Sequence, residues 1–183
     1  MSSFIKDAIK EYKKENNNKK DPKSIVIYRQ GVSLHQKEFL KKEIEEIDTV
    51  CQVNKILYYY ILVNTKSNYK IFHVENDDYY NPYSGLLVLN GIINRNFFEF
   101  YIQPQEVNEG SCTPTCFHAA YGNLDFPEFI PKFTFDLCHI YSNWKGAVRI
   151  PNAIKVIFLI VLYHYLVCII IQIFYLLIFI HWL

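Results

Sequence analysis

Apolar positions in the first two thirds of the chain predict strands alternating with a helix. Residues 23–33 and 56–64 are nearly continuous apolar runs rich in β-branched and aromatic side chains, which predicts buried strands. The Ile-Val-Ile run of the first is typical of a central strand covered on both faces. Between them, residues 35–47 carry apolar side chains at helical spacing, with Lys and Glu opposite, and residues 86–89 and 97–103 predict two more strands. This alternation predicts an α/β fold.

The stretch from residue 111 to residue 151 combines a strand pattern with a helix pattern. Residues 113–121 have the aromatic and small side chains of a buried strand, and Gly122 with Asn123 predicts a turn. Pro127 and Pro131 then open a predicted helix. Its apolar positions at helical spacing are Phe129, Ile130, Phe133, Leu137 and Ile140.

The first 22 residues predict a short lysine-rich helix followed by a polar loop. Its apolar stripe consists of Phe4, Ile5, Ala8, Ile9 and Tyr12. We interpret it as a peripheral core helix with a solvated basic face, the alternative being a membrane or RNA surface.

Residues 156–183 contain no Asp, Glu, Lys, Arg, Gly or Pro. As a helix, residues 156–180 would measure about 37 Å at ~1.5 Å per residue, which is enough to cross a bilayer core. The pattern therefore predicts a transmembrane helix. Translated non-coding sequence after a broken exon would give the same composition, and both interpretations stay open.

The distribution of charge and the cysteine content limit the classes of function that the chain can have. The net charge is +1, but residues 1–23 hold seven lysines against four acidic residues, and residues 24–151 hold eleven basic against fourteen acidic residues. An acidic folded part is not typical of an autonomous nucleic-acid binder. The five cysteines show no framework spacing and follow no signal peptide, so we expect reduced thiols in a cytoplasmic setting.

Several short motifs follow one another between residues 28 and 151. They are Y-R-Q-G-V-S at 28–33, N-P-Y-S-G at 81–85, P-T-C-F at 114–117, L-C-H-I-Y at 137–141 and N-W-K-G to R-I-P at 143–151. Together they resemble the Piwi domain of Argonaute and Piwi proteins, and the N-W-x-G form is more similar to the Piwi branch. The resemblance implies a truncated ribonuclease-H-like sheet with flanking helices over residues 23–151, after an N-terminal segment (1–22) and before an apolar tail (154–183).

The resemblance also implies that RNA cutting is absent. Family members that cut RNA hold two divalent metal ions with converging carboxylates. The family site uses Asp, Glu, Asp and a fourth residue that is Asp or His. The third position aligns with Gln30 and the fourth, the His of the family's P-T-H-Y, aligns with Cys116, while the first two lie before the matched region. We therefore expect no enzyme activity, no metal and no cofactor.

Two other chemistries are conceivable at Cys116. With His118, two residues away on the same strand face, it could form a nucleophilic pair. With His118, Cys112 and Cys138 it could form a zinc site, although the spacing departs from the usual patterns. We interpret these side chains as packed and structural.

The resemblance matches four positions to guide-backbone contacts: Lys66, Tyr141, Lys145 and Arg149, to which we add the nearby Arg95. The expected partners are a small guide RNA and its target RNA, proteins of silencing complexes, and a membrane through residues 156–180. The expected function is an RNA-binding silencing scaffold without cutting activity. The alternatives are a membrane-tethered interaction module that has lost RNA binding, or a truncated gene product without function.

Overall fold

The computed structural model describes residues 2–17, 22–89, 98–122 and 128–156. The helices are α1 (Ser2–Glu15), α2 (Lys37–Asn54) and α3 (Phe129–Leu137). The strands are β1 (Ser24–Gln30), β2 (Leu57–Asn64), β3 (His73–Glu75), β4 (Asp78–Tyr80), β5 (Leu86–Val88), β6 (Phe98–Gln103) and β7 (Thr115–Gly122).

The main sheet is mixed, with strand order β1-β2-β7-β6-β5. β1 and β2 run parallel, so α2 serves as the crossover that parallel strands require. β7 lies between β2 and β6 and is antiparallel to both. The predicted α/β fold is confirmed.

Apolar side chains from the two faces of the sheet form two separate clusters. The first lies under α1 and α2 and includes Ile5, Ile9, Leu40, Ile44, Ile47, Tyr60 and Leu62. The second lies under α3 and includes Tyr59, Ile61, Val63, Phe100, Phe117, Ile130 and Ile154. The interpretation of α1 as a core helix is confirmed for Ile5 and Ile9, whereas Phe4 and Tyr12 are exposed.

The prediction that the first strand is central is wrong within the described residues. β1 lies at an edge of the sheet, and Ile25 to Gln30 are all only half-buried. Its apolar side chains do reach both clusters, Ile25 and Ile27 on one face and Val26 and Tyr28 on the other. A continuous apolar run therefore indicates that both faces of a strand are covered. It does not indicate that the strand has a hydrogen-bonded neighbour on each side.

The predicted apolar face of the last helix is also partly wrong. Phe129 and Phe133 are exposed, and Ile140 lies beyond the end of α3. Ile130 and Thr134 are the residues that face the sheet. Ile130 packs in the second cluster, and Thr134 Oγ1 is hydrogen-bonded to the Tyr28 hydroxyl on β1 at 2.8 Å. The buried face of α3 therefore combines an apolar and a polar contact.

The pairing of β2 with β7 contains a one-residue register shift. Tyr60 pairs with Tyr121, but Ile61 pairs with Ala119, so Ala120 is an extra residue in β7. Gly122, for which the sequence predicts a turn, still belongs to β7, and Asn123 lies outside the described residues.

Within the described ranges, no helix has the length and apolar character needed to cross a membrane. The tail for which the sequence predicts a transmembrane helix lies outside those ranges from residue 157 onward. Its membrane association stays a prediction.

A buried carboxylate joins α2 to the first two strands. Glu43 on α2 is only 8% exposed, and its carboxylate accepts hydrogen bonds from Arg29 Nε at 3.2 Å and from the Tyr60 hydroxyl at 3.0 Å. The Arg29 guanidinium also lies 5.8 Å from the centre of the Phe39 ring. Burial and the Glu43 carboxylate raise the pKa of Tyr60, so the phenol stays a donor.

Replacing Glu43 with Gln removes the charge that Arg29 and Tyr60 contact. We expect the free energy of unfolding to fall by about 3 kcal/mol, because a partly buried guanidinium loses its counter-charge. Urea unfolding followed by circular dichroism measures the change. As a control, Glu45→Gln changes an exposed residue 3.9 Å from Lys41 and should cost less than about 0.5 kcal/mol. Equal decreases in the two variants would contradict the prediction.

Candidate functional site

The resemblance aligns Gln30 and Cys116 with metal-binding positions of the family, and both lie beside the same end of β2. Gln30 pairs with Val63 on one side of β2, and Cys116 pairs with Asn64 on the other. Two strand spacings separate their backbones, about 10 Å. Strand alternation directs Cys116 to the α2 face with Leu62, whereas Gln30 continues the row of Tyr28 on the α3 face. The two positions therefore lie at the same end of the strands but on opposite faces of the sheet.

A cavity of about 520 Å³ lies at this end of the strands, on the face of the sheet that α2 covers. One wall is the turn from Gly31 to Gln36, which follows β1 and begins with a left-handed glycine at φ +83°. The other wall is the sheet, with Asn64, Glu99, Cys116 and His118. Gln30 does not line it.

In this cavity wall the buried His118 pairs with the partly buried Glu99, a contact that the sequence did not predict. They are cross-strand partners on β6 and β7, and His118 Nδ1 lies 2.8 Å from Glu99 Oε1. His118 is 5% exposed. Their separation of nineteen positions in the chain gives no sign of the contact, because strand register follows from turn and bulge geometry.

The Cys116 thiol is buried in the sheet. Burial raises its pKa to about 11, and the Glu99 carboxylate adds to that rise while Tyr101 opposes it. A nucleophilic cysteine needs a lowered thiol pKa, so this environment does not favour the nucleophilic pair with His118. The interpretation as a structural thiol fits this environment.

The zinc hypothesis fails within the described part of the chain, where no cluster of three or more His, Cys, Asp or Glu side chains could hold a metal ion. Cys112 and Cys138 are fully buried. Cys138 Sγ donates to the Thr134 carbonyl at 3.3 Å, and burial raises its pKa to about 12.

Lys66 and Arg149, both predicted RNA contacts, come together at the end of β2. Arg149 Nη2 donates to the carbonyl of Thr65 at 3.1 Å and to that of Thr113 at 2.9 Å, and Thr115 Oγ1 donates back to the Arg149 carbonyl. The guanidinium therefore organises the backbone beside Lys66, a role that the sequence did not predict. Lys66 is exposed.

Tyr141 and Lys145 belong to the connection that precedes Arg149. Val148 N–H donates to the Cys138 carbonyl at 2.8 Å, and Gln105 Nε2 donates to the Ala147 carbonyl at 2.7 Å, which fixes this connection against β6. Lys145 is exposed and Tyr141 half-buried. Arg95, the fifth predicted contact, lies outside the described residues.

Solved structures with this arrangement of strands and helices define the class of fold. The chain superimposes on the crystal structure of Drosophila Piwi with a TM-score of 0.67 and 32% identity, covering 82% of this chain and 21% of that one. It also matches Kluyveromyces polysporus Argonaute with a guide RNA, at a TM-score of 0.70 and 20% identity, covering 82% and 20%. The fold is the ribonuclease-H-like fold of an Argonaute Piwi domain.

Sequence comparisons then give the family. The Piwi domain model matches residues 1–160, and Protein argonaute-3 of Drosophila melanogaster is 35% identical over 153 residues. The chain belongs to the Piwi domain family, which confirms the resemblance drawn from the motifs. The match covers 82% of this chain but 17% of that relative.

The raised thiol and phenol pKa values predict that stability falls in alkali. Cys116 and Cys138 have pKa values of about 11 and about 12 in the fold, against 9.0 ordinarily, and burial raises the pKa of Tyr28 from 10.0 to about 12. Above about pH 9 the unfolded chain releases protons that the folded chain keeps, so stability is present below that pH and falls as pH rises.

Urea unfolding midpoints between about pH 8 and about pH 10.5 measure this fall. The Cys138→Ala variant should have a lower starting stability but a shallower decrease with pH, because one of the shifted groups is gone. A midpoint that stays constant over this range would contradict the assignment of buried, protonated thiols.

Proposed function

We propose that this chain is the RNA-holding part of a small-RNA-guided silencing protein and that it does not cut RNA. The observation that carries the proposal is the chemistry at the two metal positions. Gln30 offers a neutral amide and Cys116 a buried, protonated thiol, whereas Mg²⁺ requires hard, charged oxygen ligands. Glu99, the carboxylate in the cavity wall, is bonded to His118.

RNA is the ligand class that family membership favours. Kluyveromyces polysporus Argonaute was solved with a guide RNA, and we infer the same class of ligand for this chain. Lys66 and Lys145 would each neutralise a phosphate, and Tyr141 would contact the backbone without reading bases. Arg149 would act mainly through the Thr65 and Thr113 carbonyls, which hold Lys66 in place.

The affinity should be modest because residues 24–151 are net acidic. Few phosphate contacts give a shallow dependence of the binding constant on salt. Binding should also show no preference for a 5′-phosphate, since none of these four residues belongs to an end-binding pocket.

Alanine at both Lys66 and Lys145 should weaken binding of single-stranded RNA. We expect the slope of log K against log salt to fall by roughly 1.4, which is about 0.7 for each phosphate that a lysine no longer neutralises. Fluorescence anisotropy across a salt series, with 5′-phosphorylated and 5′-hydroxyl RNA, measures both slope and end preference. Lys41→Ala with Lys42→Ala, two exposed lysines on α2, is the charge-matched control.

If the control pair lowers the slope as much as Lys66 and Lys145 do, binding is diffuse and the assigned contacts are wrong. Arg149→Ala is a poorer probe because it breaks two backbone hydrogen bonds as well as removing a charge. Tight binding that needs the 5′-phosphate would contradict the proposal.

The absence of cutting is tested separately. The 183-residue chain, mixed with a guide and a complementary labelled target in Mg²⁺ or Mn²⁺, should leave the target intact. The reason is that Gln30 supplies no carboxylate and Cys116 supplies neither a carboxylate nor an imidazole. A cutting family member run in parallel is the positive control. Metal-dependent cleavage at one guide-directed phosphodiester would contradict this part of the proposal.

A further inference from the structure

The β3–β4 hairpin (residues 73–80) is a second, two-stranded sheet that the sequence patterns did not predict. Asn76 and Asp77 form its turn, with φ of 50° and 66°, the geometry that matches the twist of a tight hairpin. Within the described residues no third strand pairs with it. A two-stranded hairpin is marginally stable in water, and a third strand is the ordinary remedy.

One face of the hairpin is apolar and exposed. Val74 pairs with Tyr79, and the Phe72 ring packs edge-on against Tyr79 with centroids 6.1 Å apart. Tyr79 is 73% exposed and Val74 is 55% exposed. Clustered apolar side chains of this size at a protein surface mark interaction sites.

The opposite face is acidic. Glu75 and Asp78 are direct cross-strand partners, and His73 pairs with Tyr80 beside them. Like charges that face each other across strands destabilise a hairpin, so a cation placed between them would stabilise it. Residues 71–89 contain no Lys or Arg, and the His73 imidazole lies 4.0 Å from the Glu75 carboxylate.

We propose that the hairpin binds an extended segment of a partner protein in which arginine and apolar residues alternate, added as a third strand. Side chains of an extended segment alternate between faces, so its arginines would lie against Glu75 and Asp78 while its apolar residues cover Val74 and Tyr79. The guanidinium fork matches carboxylates and stacks on an aromatic ring, which Tyr80 supplies.

This site uses other residues than the proposed RNA surface and has the opposite charge. The carboxylates at Glu75 and Asp78 would repel phosphates, which argues against RNA as the occupant. The two proposals can therefore fail independently.

The test is fluorescence anisotropy of the full-length chain with a short labelled peptide in which Arg and Val alternate. Two comparison peptides have Glu in place of Arg, or the same Arg and Val residues in two blocks. We expect the alternating Arg–Val peptide to bind and the other two to bind at least about tenfold more weakly, because only alternation satisfies both faces. Binding should weaken with added salt.

Variants assign the binding to the hairpin. Glu75→Gln with Asp78→Asn, and separately Tyr79→Ser, should each weaken peptide binding by about tenfold. Glu38→Gln with Glu45→Gln removes the same charge from two exposed positions on α2 and should change binding by less than about twofold. Equal melting curves by circular dichroism establish that all variants are folded.

Three results would overturn the proposal: equal binding of the alternating and block peptides, no effect of the hairpin variants, or no binding at all. If the hairpin variants instead abolish binding to single-stranded RNA while the control pair keeps it, the surface is a nucleic-acid surface and the proposal is wrong.

Discussion

The contact of Glu43 with Arg29 and Tyr60 is the constraint on which the site end of the fold depends. α2 must return the chain from β1 to a parallel β2, and most of its buried residues are apolar. Besides Glu43, Asp48 of α2 accepts a 2.8 Å hydrogen bond from the Tyr58 hydroxyl on β2. A buried carboxylate bonded to one residue of each strand fixes the helix in register with both. The turn after β1, which walls the cavity, begins two residues beyond Arg29. Its position is therefore set from within the core.

Backbone pairing places Gln30 and Cys116 beside the same end of β2. Gln30 lies opposite Val63 and Cys116 lies opposite Asn64. Pairing uses backbone groups, so it does not depend on which side chains the strands carry. The strand positions of a site can therefore be kept while the side chains at those positions differ.

The main strands, α2 and the family could be predicted from the sequence, since these follow from apolar periodicity and from the order of the motifs. The sequence was insufficient wherever the outcome depended on a contact distant in the chain. Thr134 of α3 is buried in contact with Tyr28, 106 positions away, and strand register places Glu99 beside His118. The resemblance matches Arg149 to a guide-backbone contact, and it gives no sign that the guanidinium also donates to two backbone carbonyls. The hairpin was missed because three-residue strands give too short a pattern, although Asn76-Asp77 is a recognisable turn pair.

The extra residue at Ala120 determines which face of the sheet the start of β7 presents. Had the pairing of Tyr60 with Tyr121 continued without a shift, His118 would lie opposite Val63 and Phe117 opposite Asn64. Cys116 and His118 would then point beneath α3, and the Phe117 ring would stand in the cavity. The bulge thus decides which side chains at the start of β7 face α2 and which face α3. Insertion or deletion of a single codon near position 120 would exchange these two sets of side chains and so change the surface of the site.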